Sequence, residues 1–349
     1  MKTEEIIRKC IELPGISMKT DGQSTELILS RDDGNGSMTF FPLFPGITLA
    51  YISIDSPSWP APELDGGANE ERPAAGSGSA DDAGDLKPPL LINYCIEGRC
   101  EMVLNSGSFV YVRSDELSLS QNFAGNNYVY PGQIYKGLEF FIDTETACAE
   151  NPFIIASLSL DLSQLEKLYC PDGGTYISEG TEQVAGTFHK MWELYSGRGT
   201  MQAADMKLHT LELFSLLLNE KEIPGARPRT FYTRSQVDIA HETERIITVD
   251  LSENHPAREL AERFGISETS LKNYFRGVFG SNISVYLREM RMNRAAELLA
   301  DTRESVAAIG ESVGYLNQSK FAAVFRKQFG VSPLEYRRAA RLRKNTGRG

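Results

Sequence analysis

The chain reads as an α+β protein of more than one domain, a small β-barrel with following helices and then an all-α domain containing two helix-turn-helix units. Three observations carry this. Short runs of aliphatic and aromatic residues, punctuated by Gly, Asp, Asn and Pro, fill much of the first 143 residues. After Pro152 the apolar residues recur at helical spacing instead. Between Ala257 and Arg338 one short pattern then occurs twice.

In residues 1–54 the runs Glu26-Leu27-Ile28-Leu29 and 47–54 are expected to be strands. From Asp55 to Pro89 the composition shifts to Pro, Ala, Gly, Ser and Asp, with almost no aliphatic content. Such a segment cannot bury enough apolar surface to offset its ordering entropy, so a disordered loop over 55–89 is expected. Strand signals return at 90–95, 100–104, 108–112, 117–120, 128–130 and 138–142, joined by glycine-containing turns such as Glu97-Gly98-Arg99, which bends the chain. Short strands at this spacing suit a small β-barrel or sandwich, cupin-like in outline, and a barrel is a natural place for a small-molecule cavity. Tyr94, Tyr111, Tyr128, Tyr130 and Phe141 suit either a ligand pocket or ordinary core.

A metal enzyme of that shape would carry histidines on its strands. The four histidines are His189, His209, His241 and His255, none between residues 90 and 143, so no metal, no cofactor and no catalytic residue is expected. The cysteines, Cys10, Cys95, Cys100, Cys148 and Cys170, are odd in number and scattered, which disfavours a disulfide framework. Cys95 and Cys100 could be a redox or metal pair, but a separation of five puts them on opposite faces of a continuous strand, and free thiols are expected.

Helices are expected over 160–169, 181–195 and 201–221. The last is apolar around more than one stripe, which suits core packing and equally suits contact with a second subunit, leaving a homodimer open. Two prolines within 223–234 mark a linker that closes the first domain at residue 222.

Beyond the linker, seven helices are expected, at about 235–250, 256–263, 267–278, 282–300, 305–312, 317–328 and 332–340, with a basic tail over 341–349. Gly265 aligns with Gly314, Leu271 with Phe321, Phe275 with Phe325 and Gly280 with Gly330, so one residue is added in the second turn. Each copy has a small residue in its first helix, a glycine four residues on and a polar start to its second helix, the grammar of a helix-turn-helix. A plain helical hairpin would share that grammar, but two copies with cationic and amide residues at the helix starts favour nucleic acid. The helix between them, of about 18 residues or roughly 27 Å, can set the two second helices about one DNA turn apart.

Charge is divided accordingly. The net charge is -11, yet residues 241–349 hold 18 Lys and Arg against 13 Asp and Glu, and nine basic residues against one acid follow Asn317. Phosphate attraction depends on that local field. No apolar run approaches the roughly 20 residues needed to span a bilayer, and the sequence starts without the apolar core of a secretion signal, so a cytoplasmic protein with no membrane partner is expected.

The stretch from Val313 through Gly314-Tyr315-Leu316-Asn317-Gln318 and Phe325-Arg326-Lys327-Gln328-Phe329-Gly330 to Arg337 carries the most specific signal. Over 235–340 the module resembles the DNA-binding domain of AraC/XylS-family transcription regulators. The resemblance implies binding to double-stranded promoter DNA, contact with RNA polymerase and an effector-sensing first domain, hence an activator that responds to a small molecule and is not an enzyme. It also implies base-edge contacts early in each recognition helix, at Thr269, Ser270, Lys272 and Asn273 and at Gln318, Ser319, Lys320 and Ala323. Amides suit adenine edges and lysine suits guanine, whereas Ala323 stands where relatives often use a long polar residue. Arg276, Arg326 and Lys327 are expected at phosphates, with backbone N–H groups offered at Ser281 and Asn282. The alternative is an enzyme or covalent cysteine sensor joined to a DNA anchor, and a barrel that only dimerises is a third possibility. No residue identifies the effector.

Overall fold

A computed structural model describes residues 3–60, 88–104, 106–121, 128–151, 157–196, 203–219 and 230–346. The chain divides into two compact units, Met1–Phe231 and Tyr232–Gly349. Most of the expected linker and residues 61–87 of the expected loop lie outside the described residues.

In the first unit, α1 (Thr3–Cys10) precedes β1 (Ile16–Thr20), β2 (Thr25–Arg31), β3 (Gly34–Phe44), β4 (Ile47–Asp55), β5 (Ser58–Trp59), β6 (Leu90–Val103), β7 (Phe109–Arg113), β8 (Glu116–Ser120), β9 (Tyr128–Val129) and β10 (Ile134–Ile142). Helices α2 (Thr144–Glu150) and α3 (Ser163–Tyr169), strand β11 (Thr175–Ser178), and helices α4 (Glu182–Ser196) and α5 (Ala203–Asn219) complete it. The main sheet is antiparallel, ordered β1-β2-β3-β4-β10-β6-β8-β11 with β7 also on β6, while β5 and β9 form a separate pair. Among the described residues no ladder joins β1 to β11, so the pairing gives an open sheet rather than the closed ring expected.

Both faces of this sheet are buried, which is why β4 and β10 read as nearly continuous apolar runs. Leu49, Tyr51, Ile92 and Phe140 face Phe188 of α4 and Phe214 of α5. Their neighbours along the strands, Ala50, Ile52, Leu91 and Phe141, join a second core with Leu27 and Phe40. The period of two has thus distributed each strand between two cores.

Several elements differ from expectation. Helix α2, unforeseen, is capped by Asp143, whose Oδ1 accepts from the Thr146 N–H at 3.1 Å. Strands β3 and β11 also escaped notice, and the expected loop at Asp55 begins later, because Trp59 is only 1% exposed and β5 pairs with β9. Most consequential is β6, one strand of 14 residues where two strands and a bend were expected. Its pairing with β10 passes from Gly137↔Cys95 to Lys136↔Glu97, leaving Ile96 out of register. That bulge reverses the alternation, so Cys95 and Cys100 enter the same core instead of opposite faces.

Gly98 permits the passage. Its φ is +94°, and a Cβ there would stand 1.9 Å from the Ile134 carbonyl oxygen. We expect Gly98→Ala to destabilise the first unit by on the order of 3 kcal/mol, combining left-handed strain with a backbone clash. Both tryptophans, Trp59 and Trp192, lie in this unit, so fluorescence-monitored denaturation reads it selectively. An unchanged midpoint would show that the strand accommodates a side chain.

The second unit contains α6 (Arg234–Val249), α7 (Ala257–Arg263), α8 (Glu268–Phe279), α9 (Ile283–Asp301), α10 (Val306–Ser312), α11 (Gln318–Phe329) and α12 (Pro333–Thr346). Helix α12 runs through most of the segment expected to be a tail, since its Arg, Leu and Lys residues favour helix. The duplicated glycines take left-handed conformations, Gly265 and Gly314 in the turns and Gly280 and Gly330 at the ends of α8 and α11. Phe275, Phe279 and Tyr286 pack together in the first repeat, and Phe321, Phe325, Phe329 and Tyr336 in the second. Phe264, expected in the core, is only half-buried at the end of α7.

Candidate nucleic-acid interface

The second helix of each repeat is held by its core on one side and left open on the other. In α8, Leu271, Phe275, Val278 and Phe279 are buried, while Thr269, Lys272, Asn273 and Arg276 are exposed. The start is fixed by Ser267, whose Oγ accepts from the Ser270 N–H at 3.0 Å. Ser270 differs from the other expected contacts, being half-buried with its hydroxyl 2.9 Å from that of Ser267. Lys272 forms an ion pair with Glu268 one turn earlier.

In α11, Phe321 and Phe325 are buried, and Gln318, Ser319, Lys320, Ala323, Arg326 and Lys327 are exposed. Asn317 caps it, Oδ1 accepting from the Lys320 N–H at 2.9 Å. The Gln328 side chain donates to Asn293 Oδ1 at 2.9 Å and ties α11 to α9. The residue added in the second turn is Leu316, which is 91% exposed.

Helix α9 joins the repeats. The Asn282 carbonyl accepts from the N–H groups of Val285 and Tyr286 at 2.9 and 3.0 Å, and its side chain makes no capping bond. Ser281 is half-buried. Between the recognition helices is an open cleft of about 950 Å³, which brings together Lys272, Asn282, Arg288, Leu316, Asn317 and Lys320. On its α9 side, Arg291 is committed to the protein, donating at 2.7 Å to the carbonyls of both Leu251 and Glu253. Burial raises the Tyr315 hydroxyl above its ordinary range, opposed by the charges of Arg291 and Arg288 beside it.

The first unit has a different polar feature. Glu139, on the β10 face turned away from the helices, is 6% exposed, and burial pushes its carboxyl up to about 7 against a hydrogen bond with Asn93. Asn93 Oδ1 also accepts from the Tyr135 hydroxyl at 2.7 Å, and Tyr135 stacks on Tyr130 with centroids 4.8 Å apart. The one acid in the run 138–142 was the available sequence signal for this group. Of the other aromatics singled out, Tyr94 stacks on Phe188 and Tyr111 donates to Glu101 Oε2 at 2.6 Å, while Tyr128 and Phe141 lie at or in the second core.

Burial raises the thiols of Cys95 and Cys100, takes Cys10 to about 11 and Cys170 to about 12, and so suppresses the reactive thiolate. His189 contacts Asp115 Oδ1 at 2.8 Å. Among the described residues no group of three or more His, Cys, Asp or Glu converges on a metal position, and no helix is long and apolar enough to cross a membrane.

A helix-turn-helix domain model matches residues 260–339. The transcriptional activator RhaR of Mannheimia succiniciproducens is 33% identical over 87 residues, which are 25% of this chain and 32% of the relative. The Msm operon regulatory protein of Streptococcus mutans is 25% identical over 258 residues, 72% of this chain and 85% of the relative. A solved DNA-binding domain of AdpA, in complex with a target DNA, is 28% identical and covers 30% of this chain and 96% of that one, with a TM-score of 0.29. The alignments span 32% and 46% of the first two curated relatives.

Proposed function

We propose, from the helix-turn-helix domain matched over residues 260–339, that the chain is a sequence-specific transcription regulator of AraC type and an activator. The observation that carries this reading is the pair α8 and α11, each capped at its start, each anchored by phenylalanines on one face and each open on the other. Recognition helices so presented enter successive major grooves of promoter DNA. Thr269, Ser270, Lys272 and Asn273 from α8, and Gln318, Ser319, Lys320 and Ala323 from α11, meet base edges, with Ser270 limited by its bond to Ser267 and Ala323 to apolar contact. Arg276, Arg326, Lys327 and the backbone at Ser281 and Asn282 meet phosphates.

Lys320→Ala is expected to cost about 1–3 kcal/mol on particular base pairs, whereas Lys327→Ala weakens all sequences alike and lowers the salt slope by about one. Fluorescence anisotropy of the full chain, on a duplex selected from a random pool and on unselected duplex, separates these outcomes. Equal losses from both variants on both duplexes would remove the assignment.

The first unit, in this reading, is a cupin-like effector domain that acts on the second in the cytoplasm, and the regulator contacts RNA polymerase at its promoter. A homodimer packed through α5, on which Leu208 is 63% exposed, belongs to the same reading. A covalent cysteine sensor is the weaker reading, because the buried thiols resist ionisation. Effector control requires that the ligand prefer one state of the protein, so a binding measurement has to be paired with a change in DNA affinity.

A further inference from the structure

The floor of the cleft between the recognition helices has no part in the contacts assigned so far. We propose that Arg288 reads the minor groove that separates the two major-groove half-sites, making the central base pairs a third specificity element. This rests on the DNA-binding reading above. When two helices occupy successive major grooves on one face of a duplex, the surface that faces the protein midway between them is the minor groove. The cleft lies between α8 and α11, and α9 presents Ser284, Arg288 and Arg291 along it at helical spacing.

The cations there are not equivalent. Lys272 is paired with Glu268, and Arg291 is held by two backbone carbonyls. Lys320 belongs to the face of α11 directed at the major groove. Arg288 is exposed and, among the described residues, makes no hydrogen bond or ion pair, its charge acting only on the nearby Tyr315 hydroxyl. A guanidinium with no ion pair, in a cleft that exposed Leu316 also lines, suits a narrow minor groove, whose negative potential attracts arginine. A+T-rich steps narrow that groove, so the expected preference is for A and T at positions that no recognition helix touches.

The test is selection of a random duplex pool of roughly 30 base pairs, long enough for two half-sites, by the full chain and by Arg288→Ala and Arg288→Lys. The wild type should enrich two half-sites flanking an A+T-rich centre. Both variants should keep the half-sites and lose the central bias, with about tenfold weaker binding to an A-tract centre and little change on a G+C centre. Arg288→Lys retains the charge and guards against a fault of folding or simple electrostatics. A central bias that persists in both variants, or a uniform loss on every centre, would make Arg288 at most a phosphate contact and overturn the proposal. Failure to enrich any half-site would instead sink the DNA-binding reading itself.

Discussion

Phe325→Ala is expected to remove on the order of 3–5 kcal/mol from the second unit and to lower its melting temperature by roughly 15 °C. The ring is fully buried and has Phe321, Phe329 and Tyr336 as aromatic neighbours at 5.9, 4.6 and 5.5 Å. Truncation leaves a cavity at the point where α11 and α12 meet, and α11 then loses the support that keeps Gln318, Ser319 and Lys320 turned outward. Loss of sequence-specific binding should therefore exceed loss of affinity for random duplex, which needs only positive charge. Calorimetry of the full chain together with anisotropy on both duplexes reads the two effects. A shift of only a few degrees would mean that the second repeat repacks around the gap and that its aromatic cluster does not hold α11 in place.

The second large effect concerns Glu139. A carboxyl raised to about 7 in the folded chain and near 4.5 when unfolded favours folding while it is protonated. Its contribution is fully present below pH 4.5 and is lost as pH rises through 7, an amount on the order of 3 kcal/mol. Tryptophan-monitored unfolding should thus show the first unit losing stability between pH 5 and 8. Glu139→Gln should flatten that profile and raise stability at pH 8, because the amide keeps a hydrogen-bonding group beside Asn93 without a charge to desolvate. Identical profiles for wild type and variant would show that Glu139 is hydrated or otherwise compensated in solution.

The carboxy-terminal unit was legible because its signals are local. Capping residues, left-handed glycines and phenylalanines four apart specify each helix within a few residues of sequence, and the repeat supplied an internal check. Six of its seven helices begin and end within a residue of expectation, and the seventh, α12, begins one residue late and overruns only where no glycine stops it before Gly347. The added residue of the second turn was visible as an offset, but its near-complete exposure was not.

In the first unit the decisive features are non-local. Parity counting put Cys95 and Cys100 on opposite faces, and it failed because pairing with β10 skips Ile96. Composition suggested that Asp55 opens a structureless loop, and it could not register one tryptophan anchoring β5 against β9. Strand counting anticipated a closed barrel, whereas closure depends on which edges meet.

By itself the sequence determined the helices, caps and turns of the second unit and the residue types its recognition helices expose, since those follow from neighbours along the chain. Only the tertiary structure decided that Arg291 is already spent on two backbone carbonyls, that Arg288 lines the cleft with no ion pair among the described residues, and that Glu139 is sealed beside Asn93. Desolvation, and bonds between segments far apart in the chain such as Arg291 to the Leu251 and Glu253 carbonyls, depend on groups brought together in space, and linear spacing carries no record of them.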